Sequence, residues 1–181
     1  MQRVSIILAC LSLASCMTLP PTTSFNAPTN AQGPVEANAW LARVEITDTE
    51  LVSQVSRAQV ENSLTNNLLR FLRDGKYFRQ IELLPGTPKP EDFVLRFVFD
   101  RYRKDRHWKV FVNSDASDLT ASLIVTHSDG TLVKGVRASV MEEHQVDSLS
   151  PEDALPSGMK ARTQLVEDLL RQALWPPKAN P

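Results

Sequence analysis

Apolar positions along this chain switch between two spacings. Trp40, Ala42, Val44 and Ile46 alternate with Leu41, Arg43, Glu45 and Thr47, which is the period-two pattern of a half-buried strand. Ser53 suits a helix N-cap, and Val60, Leu64, Leu68, Phe71 and Leu72 then recur at helical spacing, within about 120° of arc. The pattern predicts a helix over Gln54–Asp74, with Gly75 suited to the left-handed position after its last turn. Tyr77–Leu83 reads as a short strand, and Pro85, Gly86, Pro88 and Pro90 as a rigid loop.

Phe93, Leu95, Phe97 and Phe99 form the strongest alternation, followed by Leu119, Ala121, Leu123 and Val125. Ser128-Asp129-Gly130 marks a tight hairpin turn, with a partner strand from Thr131 to about Glu143. Ser150-Pro151-Glu152-Asp153 predicts a single helical turn, interrupted by Pro156. A second main helix is predicted over Ser157–Leu174, stopped by Pro176-Pro177. The order is β-α-β-β-β-β-α. Strands with one apolar face predict an α+β two-layer sandwich: a mainly antiparallel sheet of about five strands with both helices on one face. The other face would be polar, open to water or to a partner.

The start of the chain has a different pattern. Met1-Gln2-Arg3 is followed by a run, Val4 to Leu13, that is apolar except for Ser5 and Ser12, and then by Ala14-Ser15-Cys16. A basic start, a short apolar core and small residues describe a signal peptide over 1–15. The run is far shorter than the roughly 20 residues of a membrane-spanning helix. Residues 16–38 hold Pro20, Pro21, Pro28 and Pro34 among Thr, Asn, Ala and Gly, without apolar periodicity. They read as a disordered tether reaching roughly 25 Å. The competing reading is an ordered strand laid along the domain, for which Phe25 is the only anchor. A single domain over 39–176 and a tail over 177–181 complete the division.

Leu13-Ala14-Ser15-Cys16 resembles the lipobox of bacterial lipoproteins. The resemblance implies cleavage before Cys16 and acyl chains on its sulfur and new amine. Because Met17 is not Asp, it also implies the outer membrane, facing the periplasm. One acyl chain binds only marginally, whereas two or three hold a protein stably. Of the two cysteines, Cys10 leaves with the leader and Cys16 would carry lipid, so the domain has no thiol. A disulfide, a thiolate metal site and a cysteine nucleophile are thereby excluded there.

Hydrophobic content of 42% and charged content of 23% are globular values. The formal net charge of −1 gives no pull toward nucleic acid, and no cofactor fingerprint is present. Ser157-Gly158-Met159-Lys160 matches Ser-x-x-Lys, the nucleophile pattern of penicillin-binding proteins and β-lactamases. Lys-Thr-Gly is missing, Ser128-Asp129-Gly130 replaces Ser-Asp-Asn, and the chain is far smaller than that fold. Helix capping is the simpler use of Ser157. His107, His127 and His144 show no metal-ligand spacing, and only Glu142 and His144 could share a cation. No catalytic or metal site is expected.

The sharpest feature of the domain is Arg101-Tyr102-Arg103-Lys104-Asp105-Arg106-His107-Trp108-Lys109, read as lying where a strand runs out into a loop. Arginine forks pair with phosphate and carboxylate, and aromatic rings can lie on a sugar. Arg101, Arg103, Lys104, Arg106, Trp108 and Lys109 are therefore the candidate binding residues, set against a solvated hairpin end with Trp108 in the core. In element order, residues 40–175 resemble a class of small envelope lipoproteins that includes the lipopolysaccharide-assembly lipoprotein of the outer-membrane translocon. The resemblance implies a non-catalytic accessory role. The expected partners are the membrane, through Cys16, and an envelope protein, lipopolysaccharide or peptidoglycan. The alternatives are an activator docking on a peptidoglycan synthase and, remotely, a hydrolase using Ser157 and Lys160.

Overall fold

The computed structural model describes residues 23–48, 57–109, 112–146 and 159–175, with side chains except at 102–109, 112–118 and 142–146. The predicted signal peptide, Cys16, Ser53, the predicted turn at 150–153, Ser157 and the predicted tail lie outside the described residues. The elements are β1 (Val35–Leu41), β2 (Glu45–Ile46), α1 (Arg57–Asp74), β3 (Phe78–Leu83), β4 (Phe93–Lys109), β5 (Val112–His127), β6 (Leu132–Val146) and α2 (Met159–Leu174). Six strands form one sheet in the order β3-β1-β4-β5-β6, with β2 continuing the β1 position along β4.

The α+β sandwich is as predicted, and its sheet is mixed. β4, β5 and β6 pair antiparallel in long ladders. β1 runs parallel to both β3 and β4, and β2 parallel to β4. The physical reason is the β1–α1–β3 crossover: a helix between two strands returns the chain in the same direction.

The core follows from register. Leu41 lies opposite Leu95, Leu95 opposite Val125, Phe97 opposite Leu123 and Phe99 opposite Ala121. Every one of these side chains is buried. Leu123, Ala121 and Leu119 pair in turn with Val136, Ala138 and Val140 of β6, which pack against the same cluster. Over this face α1 buries Val60, Leu64, Leu68, Phe71 and Leu72. α2 buries Leu165, Val166, Leu169 and Leu170. α1 packs on β2 and β3, and α2 on β5 and β6.

The strand predicted over Trp40–Thr47 is two strands with opposite parity. Ala39 and Leu41 are buried in β1, whereas Val44 and Ile46 are buried after the break. Trp40 therefore lies on the other face from Val44 and Ile46. The break has a cause in α1: the Val44 N–H donates to Thr65 Oγ1 (3.0 Å) and the Ile46 N–H to Glu61 Oε1 (3.1 Å). Helix side chains take donors that a continuous ladder would have used.

α1 ends differently from the expectation for Gly75. The left-handed residue is Lys76 (φ 49°). The Tyr77 N–H donates to the Leu72 carbonyl (3.3 Å) and the Lys76 N–H to the Arg73 carbonyl (3.0 Å), the bond pair of a Schellman cap. Gly75 is required for another reason: a Cβ there would lie 2.4 Å from the Tyr77 ring and 2.8 Å from Pro28 Cβ.

The tether predicted over 16–38 is also corrected. From Thr23 onward the chain is packed on the domain with Phe25 as an anchor, as in the competing reading, but it is not a strand before Val35. Thr23 Oγ1 bonds Ser63 Oγ (2.7 Å) and accepts from Asn67 Nδ2 (2.8 Å), both on α1. Arg162, 4% exposed on α2, donates from Nε to the Ser24 carbonyl (3.0 Å). The Asn26 N–H donates to Thr163 Oγ1 (2.8 Å), and the Thr29 N–H and hydroxyl both donate to Glu167 (2.8 and 2.9 Å). Phe25 packs on Phe71, Phe71 on Tyr77 and Tyr77 on Trp175. Polar side chains of both helices thus satisfy a segment that has no apolar periodicity of its own.

Two measurements test these features. Lys76→Gly should raise urea stability by about 0.5–1 kcal/mol by removing a left-handed non-glycine residue, while Gly75→Ala should lower it through the clash with Tyr77. Arg162→Ala should cost about 1.5–3 kcal/mol, the range for a lost hydrogen bond from a charged donor, and should expose the amides of Ser24 to Thr29 to exchange.

Candidate contact surface

The sheet face opposite the helices carries Arg96, Val98 and Asp100 on β4, with Ile124, Ser122 and Thr120 on β5 and Arg137 and Ser139 on β6. Register sets Arg96 opposite Ile124, Val98 opposite Ser122 and Ser122 opposite Arg137. Arg96 holds Glu45 of β2 through two hydrogen bonds of 2.9 Å. Polar side chains dominate, and the face is open where the helix side is closed.

A β-bulge defines its centre. Phe99 lies opposite Ala121, yet Arg101 lies opposite Thr120, so Asp100 is the extra residue. Bulges redirect side chains and shift the strand's parity. Asp100 turns to Arg137 of β6, with Oδ2 3.0 Å from Nη2, and accepts from Thr47 Oγ1 (3.3 Å). Arg101, Thr120 and Ser139 then fall in one cross-strand row, where the Thr120 and Ser139 hydroxyls bond at 2.9 Å. Asp100, Arg101, Thr120, Arg137, Ala138 and Ser139 line a shallow open cleft of about 560 Å³. It offers two guanidinium groups, two hydroxyls and one carboxylate, the donors and acceptors of a recognition surface.

The basic segment is not a loop. Residues 101–109 are the distal part of β4, paired with β5 as far as Lys109 opposite Val112. The prediction ended the strand too early because the bulge breaks the odd-numbered apolar alternation after Phe99. Of the candidate residues, Arg101 is the one whose side chain is described, and it joins the cleft. Arg103, Lys104, Arg106, Trp108 and Lys109 lie further along the strand, outside the described side chains. Their register partners matter: Arg103 sits opposite Asp118 and Arg106 opposite Asp115. With Asp105 in the segment itself, and Glu142 and Glu143 across from Ser117 and Ala116 on β6, acidic positions match the five basic ones. Five basic and five acidic positions thus share the distal part of the sheet.

Arg137, Asp100, Thr120 and Ser139 were missed in the sequence. The parity change from Phe99 to Tyr102 and Leu119, which register makes partners, was the available signal for the bulge. At the β6 edge, Leu132, Val133 and Met141 are exposed at 64%, 43% and 77%. Since β6 ends the sheet order, these apolar groups stand beside an edge ladder.

At the other end of the open face, the loop 84–92 folds back over Trp40. A Cβ on Gly86 would lie 2.0 Å from the indole, so only glycine allows this approach. Asp92 accepts from Trp40 Nε1 and from the Lys89 N–H, both at 2.9 Å. The Trp40 bond first, and the Lys89 bond second, hold the Asp92 carboxyl below its ordinary range. Across the sheet the Asp129 carboxyl is lowered chiefly by the Thr131 N–H (2.8 Å), which locks the β5–β6 turn. Gly130 adopts the left-handed conformation there (φ 88°), as the turn requires.

Of the Ser-x-x-Lys pattern, one member is described. Ser157 lies outside the described residues, and Lys160 is exposed on α2, in the helix layer. His127 packs its ring 5.4 Å from Phe93. Among the described residues no three His, Cys, Asp or Glu side chains are grouped to hold a metal. No helix among the described residues is long and apolar enough to cross a membrane.

No family model and no curated protein matches the chain. Among solved structures it is similar to a Xanthomonas campestris protein of the DUF330 family, 15% identical over 84% of this chain and 85% of that one, TM-score 0.49. It is also similar to a minor lipoprotein from Acinetobacter baumannii, 18% identical over 82% and 99%, TM-score 0.38. A lipoprotein from Neisseria meningitidis is 12% identical over 75% and 96%, TM-score 0.40.

Replacing Asp92 by Asn should destabilise the domain by about 1–2 kcal/mol at neutral pH. The folded carboxyl titrates below the unfolded one, so its contribution is complete above pH about 4 and is lost as pH falls through the folded value. Urea titrations should show a constant gap between parent and variant at pH 5 to 7 that closes on acidification.

Proposed function

We propose that this chain is a bacterial envelope lipoprotein, held at the outer membrane by acyl chains on Cys16, that works by contact and without catalysis. The carrying observation is Leu13-Ala14-Ser15-Cys16 closing a short apolar run only seven residues before Thr23, which is itself packed on α1. Met17 in place of Asp favours the outer membrane. The open sheet face around Arg101 and Arg137, together with the apolar β6 edge, is the surface offered to an envelope protein partner. Edge strands recruit partners through their unpaired backbone groups, with flanking side chains supplying selectivity. The alternative occupant, an anionic glycolipid, would use the two arginines of the cleft.

Two experiments test this reading. Cys16→Ala should abolish acylation by mass spectrometry and release the protein from the membrane fraction; continued anchoring refutes the lipid attachment. Photocrosslinkers at Val133, Ser139 and Met141 should capture one discrete envelope protein in intact cells, and Arg101→Glu with Arg137→Glu should reduce the yield several-fold. Capture of lipopolysaccharide alone would select the glycolipid, and capture unaffected by the charge reversals would dismiss the cleft.

A further inference from the structure

We infer that the helix layer, not the sheet, is the side of this domain that faces the membrane, and that the ordered segment Thr23–Asn30 enforces this orientation. The inference rests on acylation of Cys16. It adds which surface meets the lipid headgroups and which is left free.

The argument is one of length and exit point. Thr23 is bonded to Ser63 and Asn67 of α1, and Ser24 and Asn26 to Arg162 and Thr163 of α2. The first described residues therefore sit between the two helices. Seven Cα–Cα steps separate Thr23 from Cys16, a span of at most about 25 Å and about 15 Å as a flexible average. To turn the open sheet face toward the bilayer, those residues would have to pass a helix of about 10–12 Å diameter. They would then have to pass two or three strands spaced at about 4.8 Å. Little length would remain to reach the lipid. A tether running to residue 38 would have imposed no such limit.

The helix surface is suited to the place. Exposed side chains on α1 and α2 include Arg70, Arg73, Lys160 and Arg171 against one exposed acid, Asp74. Arg73 donates to the Ile81 carbonyl (3.1 Å) and Arg171 pairs with Asp168, so these cations are partly engaged but remain at the surface. Of the other exposed positions, Gln59, Asn62, Ser63, Asn66, Gln164 and Gln172 are neutral and polar, and Ala58 is small. Such a face attracts anionic headgroups without inserting into the bilayer. The bulge cleft and the apolar β6 edge belong to the sheet and point away from the lipid.

The absence of thiols in the domain makes the test clean. Single cysteines at Asn66, Gln164 or Ser139 are introduced into the full chain, labelled with a fluorophore after acylation in cells, and the protein is placed in phosphatidylethanolamine–phosphatidylglycerol vesicles. A nickel chelate on the headgroups is the quencher. Quenching should be several-fold stronger at positions 66 and 164 than at 139, and a twenty-residue Gly-Ser insertion after Thr18 should remove the contrast. Equal quenching at all three positions in protein shown by mass spectrometry to be acylated overturns the orientation alone. Contrast that survives the insertion overturns the tether as its cause. Protein that carries no acyl group overturns the anchoring on which the inference stands.

Discussion

The hydrogen bonds from Thr23–Thr29 to both helices are the constraint on which the rest depends. They fill the space between α1 and α2 with a segment held mainly through its polar groups. The helices offer it Ser63, Asn67, Arg162, Thr163 and Glu167. Phe25 is the exception, and it enters an aromatic row with Phe71, Tyr77 and Trp175. Tyr77 sits at the junction: its hydroxyl donates to Glu167 (3.3 Å), and burial, followed by the Glu167 charge, pushes its phenol above the ordinary range. The cap of α1, the requirement for Gly75 and the path of the N-terminal segment are one packing problem solved at one place.

That solution divides the domain into two unlike surfaces. The helix side is sealed by a core that runs from Leu41 to Leu170. The sheet side carries ion pairs, hydroxyls and an extra residue at Asp100 that brings Arg101 and Arg137 to one cleft. The anchoring and contact role proposed above would use this division. One surface must tolerate the bilayer, and the other must remain accessible to a partner.

Much of this was legible in the sequence. The alternation of Phe93 to Phe99 and of Leu119 to Val125, and the helical spacing of Val60 to Leu72, are direct consequences of one-sided burial, so they appear in the pattern. What stayed hidden depends on partners distant in sequence. The break after Leu41 arises from Thr65 and Glu61, and the bulge at Asp100 from pairing with Arg137. The ordered Thr23–Asn30 segment is held by polar groups on two helices, and composition rich in Pro, Thr and Asn looks the same whether those groups are present or not. The acidic positions opposite the basic run 101–109, Asp115 and Asp118, are brought to it only once β4 and β5 are in register.

Amide hydrogen exchange at Asn26 and Thr29 in the intact acylated protein tests the central claim most directly, since their N–H groups are held by Thr163 and Glu167. The account predicts protection of both, lost together when Arg162 or Thr163 is replaced by Ala. Exchange at the rate of an unstructured peptide would show that the segment is a free tether, and the fixed orientation of the domain at the membrane would be contradicted.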